Sequence, residues 1–188
     1  MLTRFVLLTV LIACLAATVS AAALDYRVLA TNKTSTMEKE MNEAADAGYV
    51  FAGVMGGETS FGGKEVVVVM AKSREGAAPE KRSYKLLATS RTSTMQKEMQ
   101  QLGDEGFEYR GQTVFESTFG GKEVSVIMER NPAGEVKQFT YKLLATSKTS
   151  TMQKELQEAG DAGFRLLGMT VSKTALGGSE LVSILRKD

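Results

Sequence analysis

The residues best placed to do chemistry recur at one position in each of three segments. A basic side chain stands just ahead of a helix signal at Lys33, Arg91 and Lys148, and a hydroxyl follows three residues later at Thr36, Thr94 and Thr151. Unpaired amides and the dipole at a helix N-terminus favour an anion, so a cation and a hydroxyl beside them would complete a small-anion or polar-ligand site. Helix capping is the competing explanation. Ser35, Ser93 and Ser150 each precede Glu38, Gln96 and Gln153 by three residues, the capping-box spacing in which the two side chains consume the orphan amides themselves. Glu40, Glu98 and Glu155, one helical turn in, further disfavour a negative ligand.

Two other sets carry reactive groups. Asp46, Asp104 and Asp161, with Glu65, Glu123 and Glu180, recur in all three segments and are the carboxylates available for acid-base work. No nucleophile or metal-type cluster accompanies them, and solvated places at a helix end and beside a hairpin account for them. Met37 with Met41, and Met95 with Met99, have the i, i+4 spacing of a thioether pair for a soft metal. The third segment puts Leu156 where Met99 stands in the second, which keeps core volume and abolishes a ligand, so packing is the expected role.

Composition removes most other chemistry. The chain has no histidine and no tryptophan, and its one cysteine is Cys14. Cys and His zinc sites, imidazole-based triads and disulfides are thereby excluded from residues 15–188. No cofactor and no metal site is expected, and the chain is read as not an enzyme. Lys and Arg number 23 against 22 Asp and Glu; without Arg4 the balance is 22 to 22, which lacks the basic excess of a nucleic-acid binder.

The elements that hold these residues are written three times. Segments beginning at Tyr26, Tyr84 and Tyr141 repeat at intervals of 58 and 57 residues. Each opens with a short β-type run, 26–31, 84–89 or 141–146. An apolar stripe at steps of four and three follows, as in Met37, Met41, Ala44 and Ala45, and predicts a helix of about three turns. Gly48, Gly106 and Gly163 come where a left-handed C′ residue is wanted, with Tyr49, Phe107 and Phe164 as the apolar C″ contact.

Two more β-type runs complete each unit, at 49–56 and 64–72, 107–116 and 122–130, and 164–173 and 179–187. Gly62-Gly63, Gly120-Gly121 and Gly177-Gly178 lie between them, and paired glycines suit a tight antiparallel hairpin. The third run is the most continuously apolar, as in Val66 to Met70, and is expected at the sheet centre. The predicted fold is α+β: three tandem β-α-β-β repeats, each a three-stranded antiparallel sheet of order 2-3-1 with one helix packed on it.

The expected organisation is a leader at 1–21, repeats at 24–72, 83–130 and 140–188, and linkers at 73–82 and 131–139 that hold both prolines, Pro79 and Pro132. A unit of under 50 residues without disulfide or metal seldom stands alone, so the repeats are expected to pack together.

The leader has a charged start at Met1 to Arg4, an apolar run from Phe5 to Ala17 and the exit Val19-Ser20-Ala21. This is the pattern of a secretory signal peptide, with cleavage after Ala21 or, alternatively, Ala23, and its run is too short for a membrane span. The expected location is periplasmic or secreted. Leu11-Ile12-Ala13-Cys14 also has lipobox form, which would make the protein a lipoprotein anchored through Cys14.

The repeated YKLLATS, the short helix, EAGDAGFRLLGM and the closing VSILRK resemble a family of small bacterial domains of unknown function, whose members show YKV, a helix ending LGAEGWELV, and a last strand ending in Lys or Arg. Gly48, Gly106 and Gly163 match that pattern directly, while Tyr49, Phe107 and Phe164 stand for its tryptophan. The resemblance spans nearly all of residues 24–188, implies the fold and carries no activity with it. The functional expectation is an exported, non-enzymatic scaffold that contacts a protein or cell-envelope component through exposed sheet edges, several of which a tandem array would offer. The alternative is the small-anion or polar-ligand module at the three helix N-termini.

Overall fold

The fold follows the triplicate pattern element by element. A computed structural model describes residues 23–58, 64–75, 80–116, 122–173 and 178–188. The leader at 1–21 with Cys14, and the hairpin glycines apart from Gly178, lie outside the described residues.

Repeat one contains β1 (Leu24–Thr31), α1 (Thr34–Asp46), β2 (Val50–Glu58) and β3 (Lys64–Ser73). Repeat two contains β4 (Ser83–Thr89), α2 (Thr92–Asp104), β5 (Glu108–Glu116) and β6 (Lys122–Arg130). Repeat three contains β7 (Thr140–Thr146), α3 (Thr149–Asp161), β8 (Arg165–Lys173) and β9 (Ser179–Lys187). The three sheets have the orders β1-β3-β2, β4-β6-β5 and β7-β9-β8, all pairs antiparallel, as the continuously apolar third strand predicts. No described helix is long and apolar enough to cross a membrane.

Each helix stops as the glycine predicts. Gly48, Gly106 and Gly163 have φ of 86°, 87° and 85°, the left-handed region. In repeat one the Gly48 amide donates to the Ala45 carbonyl and the Tyr49 amide to the Ala44 carbonyl, and the same pair of bonds recurs at the other two stops. This is the Schellman arrangement, which satisfies carbonyls that the helix leaves over.

The helix starts differ from the capping-box expectation. Helix geometry begins at Thr34, Thr92 and Thr149, which makes Lys33, Arg91 and Lys148 the N-cap residues and places Ser35, Ser93 and Ser150 inside the first turn. Instead, the Thr31, Thr89 and Thr146 hydroxyls accept from the amides of Lys33, Arg91 and Lys148. The side chains of Glu38 and Gln96, freed from capping, go elsewhere.

Packing joins the repeats in series. One face of each sheet carries its own helix: Leu29, Val66, Val68 and Met70 meet Met37, Met41, Ala44 and Ala45. Tyr84, Leu86 and Ile127, on the opposite face of the second sheet, close that same core. Phe139 at the end of the second linker, with Tyr141 and Ile184 of repeat three, closes the core of repeat two in the same way. Among the described residues the third core has no such lid: Leu156, Phe164 and Leu181 are only partly buried, whereas Met99, Phe107 and Val124 at the equivalent places are buried. Burial of a whole aliphatic side chain contributes about 1.5–3 kcal/mol, so each following repeat stabilises the one before it substantially.

Candidate functional site

The helix N-termini hold the predicted residues in three separate places. Lys33, Arg91 and Lys148 are exposed N-caps in extended conformation, and Thr36, Thr94 and Thr151 lie half-buried in the first turn of the same helices. The three basic-hydroxyl pairs are therefore one per repeat, not a single cluster. At α2 a small cleft of about 10 Å³, open to solvent, is lined by the 89–92 turn, Met95 and Val124, and by Leu143, Val182 and Ile184 of repeat three. The Thr92 hydroxyl donates to the Glu180 carboxylate there at 3.3 Å. A carboxylate thus already stands beside the N-terminus of α2, where an incoming anion would be drawn.

The recurrent carboxylates stay dispersed. Asp46 pairs with Lys81 at 2.8 Å, while Asp104 and Asp161 accept from Gln100 and Gln157 one turn earlier in their own helices. Glu65, Glu123 and Glu180 lie half-buried in the central strands of three different sheets. The methionines of the helix stripe are core: Met37, Met41 and Met99 are fully buried, and Met95 and Met152 nearly so. Among the described residues no group of three His, Cys, Asp or Glu is placed to hold a metal ion.

A different constellation, absent from the sequence reading, ties the repeats together. On α1, the Asn42 side chain donates to the Tyr84 carbonyl and accepts from the Tyr84 amide, both at 3.0 Å, and Glu38 accepts from the Leu86 amide. On α2, Gln100 accepts from the Tyr141 amide at 2.9 Å and donates to the Phe139 carbonyl, while Gln96 donates to the Tyr141 carbonyl and accepts from the Leu143 amide at 2.7 Å. Helix side chains at i and i+4 therefore bond the outer edge of the next repeat's first strand. Strand edges offer unpaired amides and carbonyls to any extended chain, and here β4 and β7 have theirs covered. Of the three first-strand edges, that of β1 has no such helix against it among the described residues.

Tyrosines pin the same joints. The Tyr84 hydroxyl accepts from the Phe51 amide at 2.9 Å. The Tyr141 hydroxyl accepts from the Tyr109 amide at 2.8 Å and donates to the Phe107 carbonyl at 3.1 Å. Both amides sit at the edge of a register shift, Phe51/Gly53 and Tyr109/Gly111, where a β-bulge leaves backbone groups outside the ladder. Burial, reinforced by the Glu129 carboxylate, raises the Tyr84 phenol well above its ordinary value. Burial also raises Tyr141, and pushes Tyr109 up to about 12.

Each joint also buries one charge. Glu129, nearly buried between repeats one and two, pairs with Arg110 at 2.8 Å and lies 3.6 Å from Arg82. Arg186 takes the equivalent place between repeats two and three, bonded to Glu108 at 2.5 Å, ion-paired with Asp188 at 2.7 Å, and stacked 4.4 Å over the Phe139 ring. Burial works to lower the Arg186 guanidinium, and Glu108 with Asp188 outweighs it to raise it further.

The joint residues are present at the two ends of the array but make no contact with another repeat among the described residues. Tyr26 corresponds to Tyr84 and Tyr141; it is 63% exposed where they are 1% and 2%. Gln153 and Gln157 correspond to Gln96 and Gln100 and are exposed. The signal that would have found this joint was in the sequence: a polar i, i+4 pair, Glu38/Asn42, Gln96/Gln100 and Gln153/Gln157, beside the methionine stripe. The chain matches no protein-family model, and no curated protein or solved structure matches it.

Proposed function

We propose that this chain is an exported, non-enzymatic scaffold that works by binding a protein of the cell envelope, and that it does so at the ends of the repeat array. One observation carries the reading: the first-strand edge is sealed at β4 and β7, while at β1 no described residue covers it, with Tyr26 and Val28 presented beside it. Strand addition or side-chain pairing at an open edge is a general protein-recognition mode that needs no catalytic residue. The dispersal of the carboxylates, the missing imidazole and the lack of a thiol in residues 15–188 support a binding task over a chemical one. Export rests on the leader pattern alone. A photocrosslinking residue at Val28, expressed in the native cell, is expected to trap protein, and one at exposed Lys39 is not. Equal trapping at both sites, or none at either, overturns the reading.

The cleft at α2 favours a second reading, a small polar ligand held by Arg91 and the neighbouring hydroxyls, as in the module expected for all three N-termini. Titration with phosphate, sulfate and simple carboxylates, with Lys33→Ala, Arg91→Ala and Lys148→Ala as comparators, tests it. Saturable binding weakened by these changes supports it; binding that ignores them rejects it.

A further inference from the structure

The two end faces of the array are halves of the joint that already occurs twice inside it. The head face is the outer side of the first sheet. It carries Tyr26, Val28 and Met55, all more than 60% exposed, and it continues to exposed Leu24. The tail face is formed by α3 and β8, with Leu166 and Met169 both 47% exposed and Val171 exposed beside them. Apart from Val136 in the second linker, these two faces hold all the exposed large hydrophobic side chains among the described residues. Apolar side chains gathered on two opposed ends, instead of scattered singly, mark interaction surfaces.

The halves match at the apolar and edge-bonding positions, with Ala71 standing at the head where Glu129 and Arg186 bury a charge in the internal joints. Leu166 holds the place of Phe51 and Tyr109, whose amides bond the next repeat's tyrosine hydroxyl. Gln153 and Gln157 hold the places of the side chains that bond the next repeat's first-strand edge, and β1 presents that edge in the register of β4 and β7. Small residues match as well. A Cβ on Gly111 would meet Val54 and Phe51 at 3.1 and 3.2 Å, and one on Gly168 would overlap the Tyr109 hydroxyl; the equivalent Gly53 has nothing within 4 Å. Gly160 likewise stands open where Gly103 touches Phe139 and Tyr141.

We infer that the tail of one copy binds the head of another, so that α3 and β8 receive Tyr26 and the β1 edge of a second chain as an intermolecular continuation of the repeat joint. This rests on the reading that the array ends are the binding surfaces, and names the partner as the chain itself. The occupant follows from continuity with the internal joints: a surface built to the same plan on both sides is complementary to its own other end. Such a contact is heterologous, and it propagates into a closed ring or an open filament according to the rotation between copies.

Sedimentation and light scattering on protein recovered from cells expressing the full sequence test this, from micromolar to millimolar concentration. The molar mass is expected to rise with concentration above that of one chain. Tyr26→Asp blocks the head and leaves the tail; Leu166→Asp blocks the tail and leaves the head. Each variant alone is expected to stay monomeric, and an equimolar mixture of the two to give a capped dimer of twice the monomer mass, which also shows that both remain folded. A monomeric parent chain, an assembly that either variant leaves intact, or a mixture that forms no dimer overturns the inference. If the parent chain is monomeric while a Val28 crosslinker traps another protein, self-association fails and the end-binding reading stands.

Discussion

The hydroxyl of Tyr84 accepts a hydrogen bond from the backbone amide of Phe51, 33 residues earlier, at 2.9 Å. A side chain from the second repeat thus satisfies the bulge that ends the regular ladder of the first. Tyr84→Phe keeps the ring and leaves that amide unpaired, a loss expected at about 1–3 kcal/mol. Tyr141→Phe is expected to cost about as much, because the Tyr141 hydroxyl also donates to the Phe107 carbonyl while that of Tyr84 also bonds the Glu129 carboxylate. Urea unfolding of the two variants measures both, and unchanged midpoints would refute the pin.

Equivalent helix positions should respond unequally to the same change. Gln100→Ala strips partners from the Tyr141 amide and the Phe139 carbonyl and is expected to cost about 1–3 kcal/mol. Gln157, whose side chain bonds only Asp161 of its own helix, is expected to tolerate alanine within about 0.5 kcal/mol. Thermal unfolding of dilute protein compares them; similar losses at both positions would contradict the sealing role.

Glycine in the last helical turn gives a change of sign. A Cβ at Gly103 would lie 2.5 Å from the Phe139 carbonyl oxygen and 2.9 Å from the Tyr141 ring, so Gly103→Ala forces the joint apart and destabilises. Nothing lies within 4 Å at Gly160, and Gly160→Ala is expected to stabilise dilute protein by about 1 kcal/mol through helix propensity. Denaturant midpoints that move in the same direction for both would count against this packing.

The buried phenols set an alkaline limit. Tyr84, Tyr109 and Tyr141 ionise at higher pH in the fold than in the unfolded chain, where the phenol titrates near about 10. Their contribution is fully present below that value and is lost as pH rises through the raised folded values, because only the unfolded state readily gives up the protons. Stability from urea titrations is expected to fall steeply above pH about 10. A Tyr84→Phe, Tyr141→Phe double variant should fall less steeply from its lower starting point; parallel slopes would contradict the assignment.

The repeat, the strand positions, the sheet order and the glycine stops were legible because each is local. Alternating apolar residues, a left-handed glycine and a continuously apolar central strand act within one unit. The joint was not legible in the same way. Ser35 and Glu38 have capping-box spacing, yet the helix begins at Thr34, and Glu38 spends its carboxylate on the Leu86 amide and Lys85 in the following repeat. Spacing along one helix does not reveal a partner 48 residues away. Tyr26, Tyr84 and Tyr141 were visible as strand residues, but their different burial depends on whether a helix precedes them, which only the stacked arrangement decides. Lys33, Arg91 and Lys148 were legible as standing just ahead of a helix; that they are the N-cap residues themselves, and that the Glu180 carboxylate lies near Thr92, required the fold.

The central claim, that each helix seals the first strand of the next repeat and leaves the leading strand open, is tested most directly by amide hydrogen exchange on dilute protein. The amides of Tyr84, Leu86, Tyr141 and Leu143 are expected to be strongly protected, and those of Tyr26 and Val28, at the equivalent places of β1, to exchange rapidly. Fast exchange in all three first strands would contradict the sealing, and equal protection of Tyr26 and Val28 in the monomer would contradict the open end.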